Sequence, residues 1–271
     1  MSVVWLNGTL LDASVARIDP ADRGFTLGDG VFETIRAVGG VPAHVGRHFA
    51  RMRNGAAVLG ISVPFGDDAL FDALCSVLRE NGLADAALRL TLTRGPAARG
   101  VLPVGDGRPT VLVNAGRLPG VLAPARVIVS QRTRRNEFSP LSRIKSLNYL
   151  DSILARQEAA DVGVDDALLL NSRGYLAEAT AGNVFLCVDG RWVTPPEEDG
   201  ALPGIARGLL LGVGTAVEER ISADAVANSN AGFVANSLGT RQLATIGYRT
   251  LDVEWPLPSV PDHPEFRFGR E

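Results

Sequence analysis

The segment Gly116–Pro124, GRLPGVLAP, limits this chain more than any other stretch. Two prolines and two glycines in nine residues suit neither a helix nor the interior of a strand. The break falls near the middle of 271 residues, a length that suits one large or two small domains. Each half must then bury a core of its own. The sequence predicts a domain over 1–115, a linker over 116–124 and a second domain over 125–271.

Both halves mix strand and helix signals. Asn7-Gly8 between apolar runs is a hairpin signal, and Gly39-Gly40 closes a second one after a strand over 31–38. Val45, Phe49, Met52, Ala56 and Leu59 recur at helical spacing, and a second helix is expected over 67–81. Strands are expected over 87–93 and 110–115. In the second half, strands are expected over 125–130, 166–170, 183–188 and 231–236, with helices over 148–160 and from Gly204 onward. No regular strand–helix–strand alternation appears, so an α+β fold with mixed or antiparallel sheets is expected. Past Trp255, a proline-rich, charged end reads as a loose tail.

The net charge of −3 and the absence of Lys/Arg runs argue against a nucleic-acid or anionic-membrane surface. The N-terminus shows neither a signal peptide nor a membrane span, and a cytoplasmic location is expected. Cys75 and Cys187 have no CxxC spacing and read as small core residues. His44, His48 and His263 form no usual metal motif with them; no metal is expected, and His44 and His48 read as structural.

Lys145, in SRIKSLNYL, is the only lysine; the other 26 residues of the Lys+Arg total of 27 are arginine. An arginine keeps its charge but cannot act as an amine nucleophile near neutral pH; a lysine can. Its apolar neighbours Ile144 and Leu147 suit an amine that traps a carbonyl. Pyridoxal phosphate, one such carbonyl, needs a carboxylate for its ring nitrogen and amides, hydroxyls or an arginine for its phosphate. Glu178, between strand-like segments, is expected to be partly buried and to have a cationic partner. Gly204 opens a helix with free amides, and Ser237 follows a strand. Arg47 and Arg51, one turn apart, read by themselves as a solvated helix face.

Taken in order, DRGFTLGDGVFETIR, HVGRHFARM, TRGPAARG, IKSLNYL, GYLAEATAGNVF, TPPEEDGALPGIAR and ANSLGTRQLATI resemble the fold-type IV pyridoxal-phosphate enzymes. That family holds branched-chain and D-amino-acid aminotransferases, R-selective amine transaminases and aminodeoxychorismate lyases. The resemblance spans nearly the whole chain. It implies two α+β domains with the cofactor at their interface, in a homodimer. It implies that Lys145 carries pyridoxal phosphate (PLP) as an imine and that Glu178 pairs with its ring nitrogen. Arg47, the amides of Ile205 and Ala206 and the hydroxyl of Ser237 would bind phosphate, and Tyr149 would face the phenolic oxygen. Ala206 departs from the family's usual threonine or serine. Thr34 would assist proton transfer, and Arg99, with Thr34 and Leu238, would contact substrate.

Transamination between an amino acid or amine and a 2-oxo acid is the main expectation. IKSLNYL with ILARQEA, and EATAGNVF, resemble transaminases more closely. Thr34 and the RGPAARG loop resemble aminodeoxychorismate lyases, which release pyruvate and 4-aminobenzoate; that is the second reading. A non-catalytic PLP-binding protein is the third.

Overall fold

The computed structural model describes residues 2–104, 107–254 and 257. The tail expected past Trp255, with His263, lies almost wholly outside the described residues. The chain divides into two compact units, Met1–Pro119 with Ile144–Asn148, and Gly120–Arg143 with Tyr149–Pro261.

In the first unit, β1 (Val3–Leu6) and β2 (Thr9–Asp12) form the expected hairpin. Asn7 and Gly8 take the positive φ of 48° and 98° that such a tight turn needs. Next come α1 (Arg23–Leu27), β3 (Gly30–Val38), β4 (Val41–Pro42), α2 (Val45–Leu59), α3 (Asp67–Glu80), β5 (Ala86–Thr93) and β6 (Thr110–Arg117). The strands lie in the order β2-β1-β6-β5-β3-β4, with antiparallel pairings. The period of two along β3 sends Val31, Ile35 and Ala37 into one core. Phe49, Met52 and Ala56 of α2 and Leu70, Leu74 and Val77 of α3 fill the same core. Each of the larger side chains here (Val, Ile, Leu, Phe, Met), fully buried, contributes roughly 1.5–3 kcal/mol. β6 runs on to Arg117, paired with Ala86, so the first two residues of the expected linker belong to a strand.

Ile144–Asn148 groups with this first unit, whereas the sequence-order division placed it in the second half. The cause is backbone pairing. The Phe32 amide donates to the Lys145 carbonyl (2.9 Å), and the Leu147 amide donates to the Gly30 carbonyl (3.0 Å). Ile144 packs into the core beneath. Gly30 permits this approach: a Cβ there would lie 2.4 Å from the Leu92 carbonyl and 2.9 Å from Leu147 Cδ1.

The second unit holds β7 (Ala125–Val129), α4 (Leu150–Asp161), β8 (Asp166–Leu170), β9 (Leu176–Ala179), β10 (Asn183–Val188) and β11 (Arg191–Thr194). It continues with α5 (Ile205–Gly212), β12 (Val217–Glu218), α6 (Ala223–Asn228), β13 (Gly232–Asn236), β14 (Gly239–Ile246) and β15 (Arg249–Thr250). The sheet order is β12-β11-β10-β13-β14-β7-β8-β9, with β15 beside β14. It is mixed: β7 runs parallel to both β14 and β8. Ala206 and Leu210 of α5 pack on Phe185, Phe233 and Ala235, and Ala155 and Ala159 of α4 pack on Ala167 and Leu169. Small alanines on α4 let that helix lie close to β8. α4 begins at Leu150, two residues later than expected.

Cys187 is buried and Cys75 is half-buried; both are free. Among the described residues, no helix is long and apolar enough to cross a membrane.

Candidate active site

Lys145 is held by strand pairing, not by a helix. Its carbonyl accepts from Phe32, and its Nζ lies 4.5 Å from the centre of the Phe32 ring. The Arg89 guanidinium lies over the same ring at 3.8 Å. Thr34 is two residues beyond Phe32 on β3, hence on the same sheet face, and it pairs with Arg89 across to β5. The fold thus brings Lys145 and Thr34 to one face of one sheet. Phe32 and Arg89 were not anticipated from sequence. Strand alternation could have placed Phe32 and Arg36 beside Thr34; the pairing with Arg89 needed the β3–β5 register.

The opposite face of β3 carries a buried carboxylate, Glu33. Arg51 of α2 donates to it from Nε (2.8 Å) and Nη2 (2.5 Å), and His48 Nδ1 lies 2.6 Å from it. Arg51 is therefore not on a solvated face: its side chain is 10% exposed. Arg47, on the same helix, is exposed. His48 is buried against Glu33, a setting compatible with the structural reading. Burial pushes the Glu33 carboxyl up, but hydrogen bonds and charge from Arg51 and His48 outweigh it and hold the group below its ordinary 4.5. Burial holds the His48 ring below its ordinary 6.5, against the pull of Glu33. The signs combine. As pH falls below about 6.5, the unfolded chain takes up a proton at His48 that the fold resists; below about 4.5 it takes up another at Glu33. Stability is expected to decline through both windows on acidification. Urea midpoints measured between about pH 8 and pH 4 check this, and a flat profile would contradict it.

In the second unit, Glu178 sits on β9, opposite Leu169 of β8, and is 8% exposed. It has the cationic partner that burial demanded: Arg135 Nε lies 3.0 Å from Oε1. The Leu202 amide donates to Oε2 at 3.1 Å. Arg135 also donates to the carbonyls of Gly200 (3.2 Å) and Ser142 (2.9 Å). One guanidinium thus fixes the carboxylate and two loops. The run of arginines over 132–135 was visible in sequence, but nothing there singled out Arg135.

α5 begins at Gly204 with no side-chain cap, so the amides of Ile205 and Ala206 stand in its first turn. A Cβ on Gly204 would lie 2.0 Å from Asn183 Oδ1, and Asn183 Nδ2 donates to the Leu202 carbonyl at 2.9 Å. Asn183 thereby braces the start of this helix. Ser237 and Leu238 form the two-residue turn between β13 and β14, and the Leu238 amide donates to Asn236 Oδ1 at 2.9 Å. Tyr149 is half-buried at the cap of α4. Arg99 is exposed on the loop after β5. Among the described residues, no three His, Cys, Asp or Glu side chains cluster as a metal site.

Residues 30–246 match the amino-transferase class IV family, most of the chain. The chain belongs to the class IV aminotransferase family. A candidate branched-chain-amino-acid aminotransferase of Methanocaldococcus jannaschii is 36% identical over 77% of this chain and 73% of its own. The crystal structure of a candidate 4-amino-4-deoxychorismate lyase from Legionella pneumophila superposes with a TM-score of 0.84 at 31% identity, covering 90% of this chain and 92% of the other. The branched-chain aminotransferase of the thermophilic archaeon Thermoproteus uzoniensis, crystallised with norvaline, gives a TM-score of 0.86 at 26% identity, covering 93% and 89%. This aminotransferase accordingly moves amino groups between amino and oxo acids, and its family is PLP-dependent. Each unit carries groups of the kinds that such a cofactor needs: the Lys145 amine in the first, and in the second the Glu178 carboxylate paired with Arg135 and the uncapped amides that open α5.

Proposed function

We propose that this class IV aminotransferase binds PLP through Lys145 Nζ and exchanges amino groups between an amino donor and a 2-oxo acid. PLP, when bound, supplies an electron sink that stabilises negative charge at the substrate carbon. The observation that supports the reading most is the placing of the only lysine on the Phe32–Thr34 face of β3. Lys145 would carry the proton at Nζ, with Thr34 beside it. Glu178, paired with Arg135, would hold a proton on the ring nitrogen. The Ile205 and Ala206 amides and the Ser237 hydroxyl would receive the phosphate, with Tyr149 at the phenolic oxygen. Arg99, with Leu238, would contact substrate, Arg99 at its carboxylate. Borohydride reduction of the loaded enzyme and peptide mapping test the first assignment; label away from Lys145 would sink it.

The phosphate arginine is drawn from α2. Arg47 was the expected residue, but its exposure favours Arg51, whose guanidinium Glu33 already fixes in one orientation. Arg51→Ala is expected to raise the PLP concentration for half-saturation by about 10- to 150-fold, and Arg47→Ala by far less. The reverse order, read by fluorescence titration of the apoenzyme with PLP, would restore Arg47.

Lyase chemistry is the second reading, supported by the Legionella structure and by Thr34. Aminodeoxychorismate offered beside L-amino acids, D-amino acids and chiral amines separates the two. Faster formation of 4-aminobenzoate than of any transamination product would favour the lyase. We further propose a cytoplasmic homodimer; the exposed Leu150, Ile153 and Leu154 on α4 support an assembly face, which sedimentation tests.

A further inference from the structure

The loop that follows β5 is held in place by polar bonds, not by packing. Its crest is open to solvent: Arg99 and Gly100 are exposed, and Val101 and Leu102 are 88% and 76% exposed. Apolar burial therefore cannot set its position. Arg23, outside the loop and only 4% exposed, does so instead. Its Nη1 donates to the Gly100 carbonyl (2.7 Å) and its Nη2 to the Val101 carbonyl (2.8 Å). Its Nε donates to Asp29 Oδ2 (2.8 Å).

Asp29 also holds the start of the loop. Arg94 donates to it from Nε (2.7 Å) and Nη2 (3.2 Å), and also donates to the carbonyls of Leu59 and Gly60. Backbone bonds join the Arg23 amide to the Gly95 carbonyl (2.9 Å) and the Ala97 amide to the Ala21 carbonyl (3.3 Å). The loop is thus tied at 94, 95, 97, 100 and 101. Ala98 and Arg99 lie between the ties. A rigid fork that bonds two successive carbonyls dictates where the residue just before them points its side chain.

We propose that Arg23 is a positioning residue for substrate carboxylate recognition. Seated on Asp29, it holds Gly100 and Val101 so that Arg99 presents its guanidinium in one place. This rests on the assignment of Arg99 above.

The test uses the PLP-loaded, full-length enzyme. Arg23→Lys is the variant chosen to preserve folding: it keeps the charge beside Asp29 but cannot also bond two carbonyls in one plane. Arg23→Ala accompanies it. In both, trypsin cleavage after Arg99 is expected to accelerate about tenfold or more over wild type, because the tied loop resists opening. KM for carboxylate-bearing donors is expected to rise about tenfold, with kcat for carboxylate-free amines unchanged. In an Arg99→Ala background, adding Arg23→Ala should raise the acid KM no further. Unchanged nicking overturns the anchoring. Equal losses for acids and amines, or effects of Arg23 and Arg99 that add, overturn the route through Arg99. If Arg99→Ala alone leaves the acid KM unchanged, the carboxylate assignment fails and the proposal with it; nicking then reports separately whether Arg23 anchors the loop.

Discussion

Lys145→Arg is expected to be as inactive as Lys145→Ala, with a loss of at least about 10²–10⁴-fold in turnover, the range for removing a proton-transferring group. The substitution keeps charge and most of the length, so the Phe32 ring still faces a cation. The backbone pairing at Phe32 and Gly30 does not depend on the side chain, so the fold should survive. What is lost is a removable proton and a nucleophilic nitrogen. Circular dichroism should show a native fold, while the absorbance expected of a cofactor held through Lys145, as proposed, should be absent. Retained turnover in Lys145→Arg would mean that another group carries the chemistry, and no other lysine exists to do so.

Glu178→Gln is expected to cut turnover by about 10²–10³-fold, the range for losing one preorganised electrostatic contact, while cofactor binding changes little. Glutamine can still accept the Leu202 amide, and Arg135 retains the Gly200 and Ser142 carbonyls. The strand and its loops should therefore stay in place. The neutral amide cannot hold a proton on a pyridine-type nitrogen, and the positive Arg135, no longer balanced, would oppose that proton. Steady-state turnover beside an equilibrium PLP titration separates the two effects. Turnover within twofold of wild type would show that a different acid serves the ring.

Much of the fold was legible because short-range periodicity carried it. The hairpin at Asn7-Gly8, the strand at 31–38 and the helix at 45–59 each follow from turn chemistry or from spacings of two and near 3.6. Lys145 stood out by its uniqueness, and Glu178 by the cost of burying a carboxylate on a strand without a cation. The buried Glu33 was also within reach: it alternates with Val31 and Ile35, and His48 and Arg51 recur one turn apart on α2.

By itself, the sequence determined the types of the main elements, because these depend on residue type and local spacing; it also pointed to a break within 116–124 and to Lys145 and Glu178 as the proposed amine and carboxylate. Tertiary structure alone decided that Ile144–Asn148 joins β3 of the first unit and that Arg135, not Arg132 or Arg134, meets Glu178. It also decided that Arg51 lies buried while Arg47 stays exposed. Each of these outcomes depends on pairing between segments far apart along the chain. Arginines in one run have the same charge and reach, and only the packed backbone sets which guanidinium lands within hydrogen-bond distance of a buried carboxylate.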